Sequence, residues 1–227
     1  MPLIGDGLLA VWTDVEPAAE ADFNLWYTHQ HVPERVGVPG FARGRRYAAP
    51  ERDKHRYCAF YETQSLAVLS SPVYAARLND PTAWTRRVMP NFRNMIRGAC
   101  RTVATAGHGI GGSLATMRLD LPHGPEGIDV TALKRLAHGL AAQHGIVGAH
   151  VIVRDRSIVG AQTVESALRT TPDALFDAAV LIESSSRSEL EARLSSAEKE
   201  IVAAWRDAPI EDVAVYDLAF ALTPEPA

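Results

Sequence analysis

Hydrophobic and polar positions fall into two successive series of segments whose periods change in the same order. Residues 7–15 alternate with a period of two, as a short strand does, and residues 17–32 shift to helical spacing with Phe23, Trp26, Tyr27 and Gln30 on one stripe. Pro17 suits a first helical turn, whereas Pro33 and then Pro39-Gly40 predict that the helix stops near residue 32. Residues 41–49 and 55–63 read as two strands joined by the polar turn 50–54. Residues 64–94, interrupted by Pro72, Pro81 and Pro90, read as helical pieces, and residues 97–106 as a fourth strand. The predicted order is β-α-β-β-α-β.

The second half repeats that order with different residues. Strands are predicted at 112–121, 146–154, 175–184 and 212–222, with helices at 130–144 and 188–208. The last helix is the plainest, because Leu190, Leu194, Ala197, Ile201, Ala204 and Trp205 form an apolar stripe opposite Glu191, Glu198 and Lys199. Each series is the split-βαβ, ferredoxin-like arrangement, which covers one sheet face with helices and leaves the other bare. Two tandem copies cover their bare faces by packing sheet to sheet. The predicted fold is therefore α+β: two ferredoxin-like repeats forming an intrachain, pseudo-dimeric α+β barrel. The first repeat spans 1–106, a Gly-rich linker 107–112, the second repeat 113–222 and a disordered tail 223–227.

Composition narrows the setting. With 47% hydrophobic and 22% charged residues in 227, the chain can bury a sizeable core, and disorder or a disulfide mini-protein is excluded. A net charge of −4 without a long basic run argues against a nucleic-acid partner. Cys58 and Cys100 stand far apart in strand-like segments, as suits a reducing cytosol, and the start lacks the basic region of a signal peptide. Residues 136–153 contain no Asp, Glu, Lys or Arg, yet three histidine positions and three glycines make a helix followed by a strand a better reading than a membrane span. A cytoplasmic monomer or homodimer with a small-molecule ligand is expected.

Candidate chemistry concentrates in residues 23–35. His29 and His31 are two apart on a helix and so cannot share a metal; no third ligand has recognisable spacing, and no metal is expected. His29 suits the helix end, where an imidazolium meets the negative pole of the dipole. His31, four residues before Arg35, is the acid/base candidate, as a neutral imidazole working near pH 7. Strand parity groups Phe41, Arg43, Arg45 and Tyr47, and separately His55, Tyr57, Ala59 and Tyr61. These predict either a packed edge or a cavity polar enough to orient a carbonyl, phenolate or carboxylate. Arg86, Arg87, Arg93, Arg97 and Arg101 form a local positive region, read as a solvated face or as a lid attracting an anion. The G-x-G-x-x-G match at Gly107–Gly112 lacks the strand-then-helix context of a dinucleotide site and reads as linker.

Asp14-Val-Glu-Pro17, Phe23-Asn-x-Trp26-Tyr27, His31-x-Pro33-Glu34-Arg35, Pro39-Gly40-Phe41, Arg46-Tyr47 and Tyr61-Glu62, with Ser71-Pro72-x-Tyr74 and Trp84-Thr85-Arg86-Arg87, resemble the EthD-like members of the dimeric α+β barrel superfamily. The resemblance covers about the first hundred residues; the second half matches by element order only. It implies the barrel and a choice of chemistries, among them lactone isomerases, polyketide cyclases or dehydratases, monooxygenases and haem proteins. The leading expectation is a lyase- or isomerase-type enzyme without a bound cofactor, acting by proton transfer on a small hydrophobic or aromatic carbonyl compound. His31 is the acid/base and Arg35 its catalytic partner; Trp12, Trp26, His29, Arg43, Arg45, Tyr47, Tyr57 and Tyr61 bind substrate. The other expectations are a haem-binding barrel with His31 or His150 as axial ligand, and a non-catalytic barrel filled by its own side chains.

Overall fold

The structure is a computed structural model that describes residues 3–122, 124–125, 128–158, 162–205 and 208–225. Its strands are β1 (Gly7–Val15), β2 (Phe41–Ala48), β3 (Tyr57–Thr63), β4 (Phe92–Gly107), β5 (Ser113–Leu119), β6 (Ile146–Arg154), β7 (Ala178–Ser184) and β8 (Ile210–Leu222). They hydrogen-bond in the closed order β1-β3-β2-β8-β5-β7-β6-β4. The helices are α1 (Glu20–Trp26), α2 (Val32–Val36), α3 (Pro72–Asn79), α4 (Ala83–Val88), α5 (Val130–Ala141), α6 (Val164–Ala167) and α7 (Arg187–Ala204). The fold class is the one predicted, an α+β barrel of eight strands. No helix among the described residues is long and apolar enough to cross a membrane. Residues 226 and 227 of the expected tail lie outside the described residues.

Two features depart from expectation. Pro33 does not end the first helix, which continues to Val36. Residues Tyr27–His31 form a widened π turn in which the Val32 N–H reaches back five residues to Tyr27 O. That extra residue in the turn accommodates a proline ring and its missing donor without breaking the helix axis. The compact units also differ from the two repeats. One is built from Gly5–Ala99 with Asp155–Leu175, the other from Cys100–Arg154 with Phe176–Leu218. The reason lies in pairing: Cys100–Gly107 of β4 form a ladder with β6, so the end of the first repeat belongs to the sheet of the second. Conversely, the connection after β6 joins the first half of β4 through an Ile96–Ala174 bridge.

In the first unit β1 and β2 flank β3, with Leu9 opposite Tyr61 and Arg45 opposite Phe60. Leu9, Val11, Tyr57, Ala59 and Tyr61 bury against Phe23, Trp26, Tyr27, Val32 and Val36 of the helical layer. Gly44 permits this approach: a Cβ there would stand 2.7 Å from Val32 Cγ1 and 3.1 Å from Val36 Cγ2. In the second unit β5, β6 and β7 present Ala115, Met117, Ala149, Val151, Val180 and Ile182 to Leu133, Leu136, Leu140, Leu190, Ala197 and Ile201 of α5 and α7.

Candidate functional site

Sheet register divides the sequence-predicted residues between two faces of the first unit. His31, Arg35, Trp26, Tyr57 and Tyr61 lie in the helix-covered layer. Trp12, Arg43, Arg45 and Tyr47 lie on the opposite face: Trp12 and Tyr47 both oppose Cys58, Arg45 opposes Phe60, and Arg43 opposes Glu62. A bulge between Phe41 and Arg43 sends Phe41 to the helix side and keeps the arginines away from it. The expected single lining is thus two separate groups, because neighbouring strand positions alternate faces and one register step decides which. His29 is exposed and stands apart from both.

The opposite-face group is held largely by ion pairs and hydrogen bonds among its own members. Arg43 donates to Glu62 through Nε at 2.8 Å and Nη2 at 2.7 Å, and Arg45 Nε lies 3.0 Å from Glu62 Oε1. Arg45 also donates to the Tyr47 hydroxyl at 2.8 Å. Trp12 and Tyr47 meet the edge of Phe60 at ring separations of 5.6 and 6.0 Å. This group has the character of a buried network in which the groups serve one another.

The helix-covered layer is different. His31, on the last residue of the π turn, is 8% exposed, and its ring lies 4.2 Å from Trp26, 4.9 Å from Tyr27 and 6.1 Å from Tyr61. Trp26 is held by its indole N–H, which donates to Thr85 of α4 at 3.3 Å. One turn beyond His31, Arg35 is 1% exposed, and its Nη2 donates to both carboxylate oxygens of Glu165. Its guanidinium carbon also lies 5.9 Å from the Tyr74 ring. Buried polar atoms of this layer that make no hydrogen bond of good geometry among the described residues include His31 Nδ1, Tyr61 Oη, Arg35 Nη1 and Arg46 Nε. Orphans of this kind cost about 1–3 kcal/mol each unless something else satisfies them.

The protonation states follow from the surroundings. Burial, and then the cationic Arg35, Arg97, Arg169 and Arg46, hold the His31 pKa well below its ordinary 6.5, so the imidazole is neutral at pH 7. Burial pushes the Tyr61 phenol well above 10.0, with Tyr27 adding to the effect, and Tyr61 stays a donor. Burial opposes the charge on Arg35, but Glu165 more than offsets it and raises that pKa. The layer therefore offers a neutral imidazole, a protonated phenol and a permanent cation.

Four contributors were not among the predicted site residues. Arg46 stacks between Phe23, Tyr27 and Tyr57 at 4.8–5.0 Å. Tyr74 meets Arg35 on one side, and its hydroxyl accepts from Arg97 Nη2 at 3.4 Å on the other. Arg97 belongs to the positive region noted above, and Tyr74 to the Ser71-Pro72-x-Tyr74 match. Glu165 comes from the connection after β6, where the only local signal is the Thr163-x-x-Ser166 helix start, seen as a reciprocal cap. Among the described residues no cluster of three or more His, Cys, Asp or Glu could hold a metal ion.

No protein-family model matches the chain, and no curated protein matches it. Solved structures do. An anthrone oxidase-like protein is similar over 96% of this chain and 92% of its own, at 16% identity and a TM-score of 0.64. A chlorite dismutase variant from Candidatus Nitrospira defluvii matches over 95% and 91%, at 7% identity and a TM-score of 0.53. A haem-binding protein from Thermus thermophilus matches over 95% and 92%, at 12% identity and a TM-score of 0.51. The chain thus has the fold of the dimeric α+β barrel proteins, carried here by one polypeptide.

Proposed function

We propose that the protein is an EthD-like enzyme that transfers a proton on a small aromatic carbonyl compound, without a resident cofactor, in the lyase or isomerase class. One observation carries this reading: a buried neutral imidazole stands beside a phenol and a guanidinium, and the imidazole and the guanidinium each keep one polar atom unpartnered. In the proposed reaction His31 removes a proton from carbon next to the carbonyl. Tyr61 and Arg35 stabilise the enolate oxygen that forms, the task of donors placed where charge develops. Trp26 and Tyr27 supply the apolar wall. His31 is a weak base in the free protein, so the substrate must carry an activated C–H, as ketones on aromatic rings do. The anthrone oxidase-like neighbour is named for a fused-ring aromatic ketone, which supports an aromatic carbonyl compound as substrate.

The opposite-face residues Trp12, Arg43, Arg45 and Tyr47 bear on the proposal as scaffold, because Glu62 already engages both arginines. Haem fits neither histidine considered for it. His150 is wholly buried with Nδ1 2.9 Å from Thr105 Oγ1 and Nε2 3.1 Å from Glu183 Oε1, so both nitrogens are engaged. At His31 the macrocycle would have to displace the Trp26, Tyr27 and Tyr61 rings.

Deuterium exchange into phenolic ketones and lactones, followed by NMR, tests the proposal. His31→Ala is expected to slow exchange by about 10²-fold or more, the usual contribution of a positioned base. Equal rates in the variant and the parent would reject His31 as the base. A Soret band on adding haemin, abolished in His31→Ala, would replace the proposal with haem binding.

A further inference from the structure

Which carbonyl compounds would suit this layer is decided by its charge balance. Four guanidiniums act on His31: Arg35, Arg97, Arg169 and Arg46. Two have carboxylate partners. Arg35 has Glu165, and Arg169 holds Asp173 through Nε and Nη2, each at 2.7 Å. The other two have none among the described residues. Arg46 donates to the Asn24 side-chain oxygen and otherwise faces three aromatic rings. Among the described residues the Arg97 guanidinium donates only to the Tyr74 hydroxyl, at 3.4 Å. Two of the four guanidiniums that act on His31 thus lack a carboxylate partner among the described residues.

Placement distinguishes these two. Arg46 also keeps a buried, unpartnered Nε, but Phe23, Tyr27 and Tyr57 enclose its guanidinium in an aromatic setting that itself serves a cation. Arg97 is half-buried and shares Tyr74 with Arg35, whose Nη1 is fully buried and unpartnered. A carboxylate accepts two or more charge-assisted hydrogen bonds and would satisfy both groups at once.

Resting on the proton-transfer reading, we infer that the ligand is an aromatic anion, a ring bearing a carboxylate or ionised hydroxyl, whose charged group is held by Arg97 and the spare Nη1 of Arg35. Neutral aromatic ketones are then poor ligands. The anion also has a second effect. By offsetting the guanidiniums it raises the His31 pKa part of the way toward its ordinary value, while burial, the larger cause of the depression, stays in place.

The test is calorimetric titration of the intact chain with 1-naphthoate and with 1-naphthamide, which match in shape and differ in charge. Neither has an exchangeable C–H next to its carbonyl, so binding is read independently of proton transfer. The naphthoate is expected to bind about tenfold more tightly or better, the worth of one charge-assisted hydrogen bond. Arg97→Met should abolish that preference and Arg97→Lys should keep part of it; circular dichroism checks that each variant is folded. If Arg97→Met does not fold, Arg97→Gln takes its place. Equal binding of the two ligands, no binding of either, or an undiminished preference in the folded Arg97→Met or Arg97→Gln protein would overturn the inference. Naphthoate preference without any deuterium exchange would leave the anion site standing and remove the enzymatic reading. Exchange on neutral ketones without anion preference would do the reverse.

Discussion

The two repeats share backbone landmarks residue for residue and fill the space beneath their helices with opposite chemistry. Gly40 and Gly145, at φ of 93° and 80°, each turn the chain into a strand, and a bulge follows in both. Arg43 and Gly148 then oppose Glu62 and Glu183, and Thr63 and Ser184 each bond to the backbone two residues on. Counted from these landmarks, Tyr61 corresponds to Ile182, Tyr57 to Ala178, Arg46 to Val151, Arg35 to Leu140 and His31 to Leu136. The second repeat shows that an aliphatic layer suffices to hold this backbone. Buried ion pairs seldom stabilise more than well-packed apolar side chains do. The aromatic and cationic layer of the first repeat is therefore retained at a cost to packing, which is what a functional layer requires.

The largest effect should come from Glu165→Leu, which strands the Arg35 guanidinium in a buried setting. A loss of about 3–5 kcal/mol in urea unfolding is expected; a change under about 1 kcal/mol would show that Arg35 finds another partner. Its counterpart in the aliphatic layer, Leu140→Ala, should cost about 2–4 kcal/mol through cavity formation while leaving naphthoate binding unchanged. If that binding fell as well, the two layers would not be separable.

The pH dependence sharpens the contrast further. Since the folded His31 pKa is depressed below 6.5, the unfolded chain binds more protons in acid. Its contribution is complete above pH 6.5 and is lost as pH falls toward the folded pKa, at about 1.4 kcal/mol per pH unit. His31→Leu installs the residue type of the second repeat and should flatten the slope between about pH 6.5 and 5 relative to the parent. Parallel curves would place the imidazole in solvent. The smallest effects should be matched ones: Gly40→Ala and Gly145→Ala each force a side chain into a left-handed conformation and against Val68 or Glu189, at about 1–2 kcal/mol apiece. Thermal unfolding of the two variants should therefore shift by similar amounts.

The repeat was legible because strand and helix periods differ, about 2.0 against 3.6, and recur in the same order in both halves. The cluster around His31, Arg35 and Trp26 was legible as a dense run of chemically capable residues on one helix. What sequence could not convey was register. Whether Arg45 or Arg46 joins the tyrosines depends on a bulge at Phe41, and no residue between 41 and 43 announces it. Glu165 was out of reach for another reason: it is 130 positions from Arg35, and pairing over that separation has no periodic signature. The π turn was hidden because Pro33 ordinarily signals a helix end, and only the backbone shows how it was accommodated.

The interleaving of β4 and of the 155–175 connection bears on any attempt to divide the gene. A fragment ending at the glycine run near residue 111 would carry Cys100–Gly107 without the β6 ladder that covers it, an open template for aggregation. It would also lack Glu165, so Arg35 of its first helix would lose the carboxylate that pairs with it in the folded chain. Co-expressed halves should recover each other as complementing fragments, whereas either half alone should be retained by chaperones.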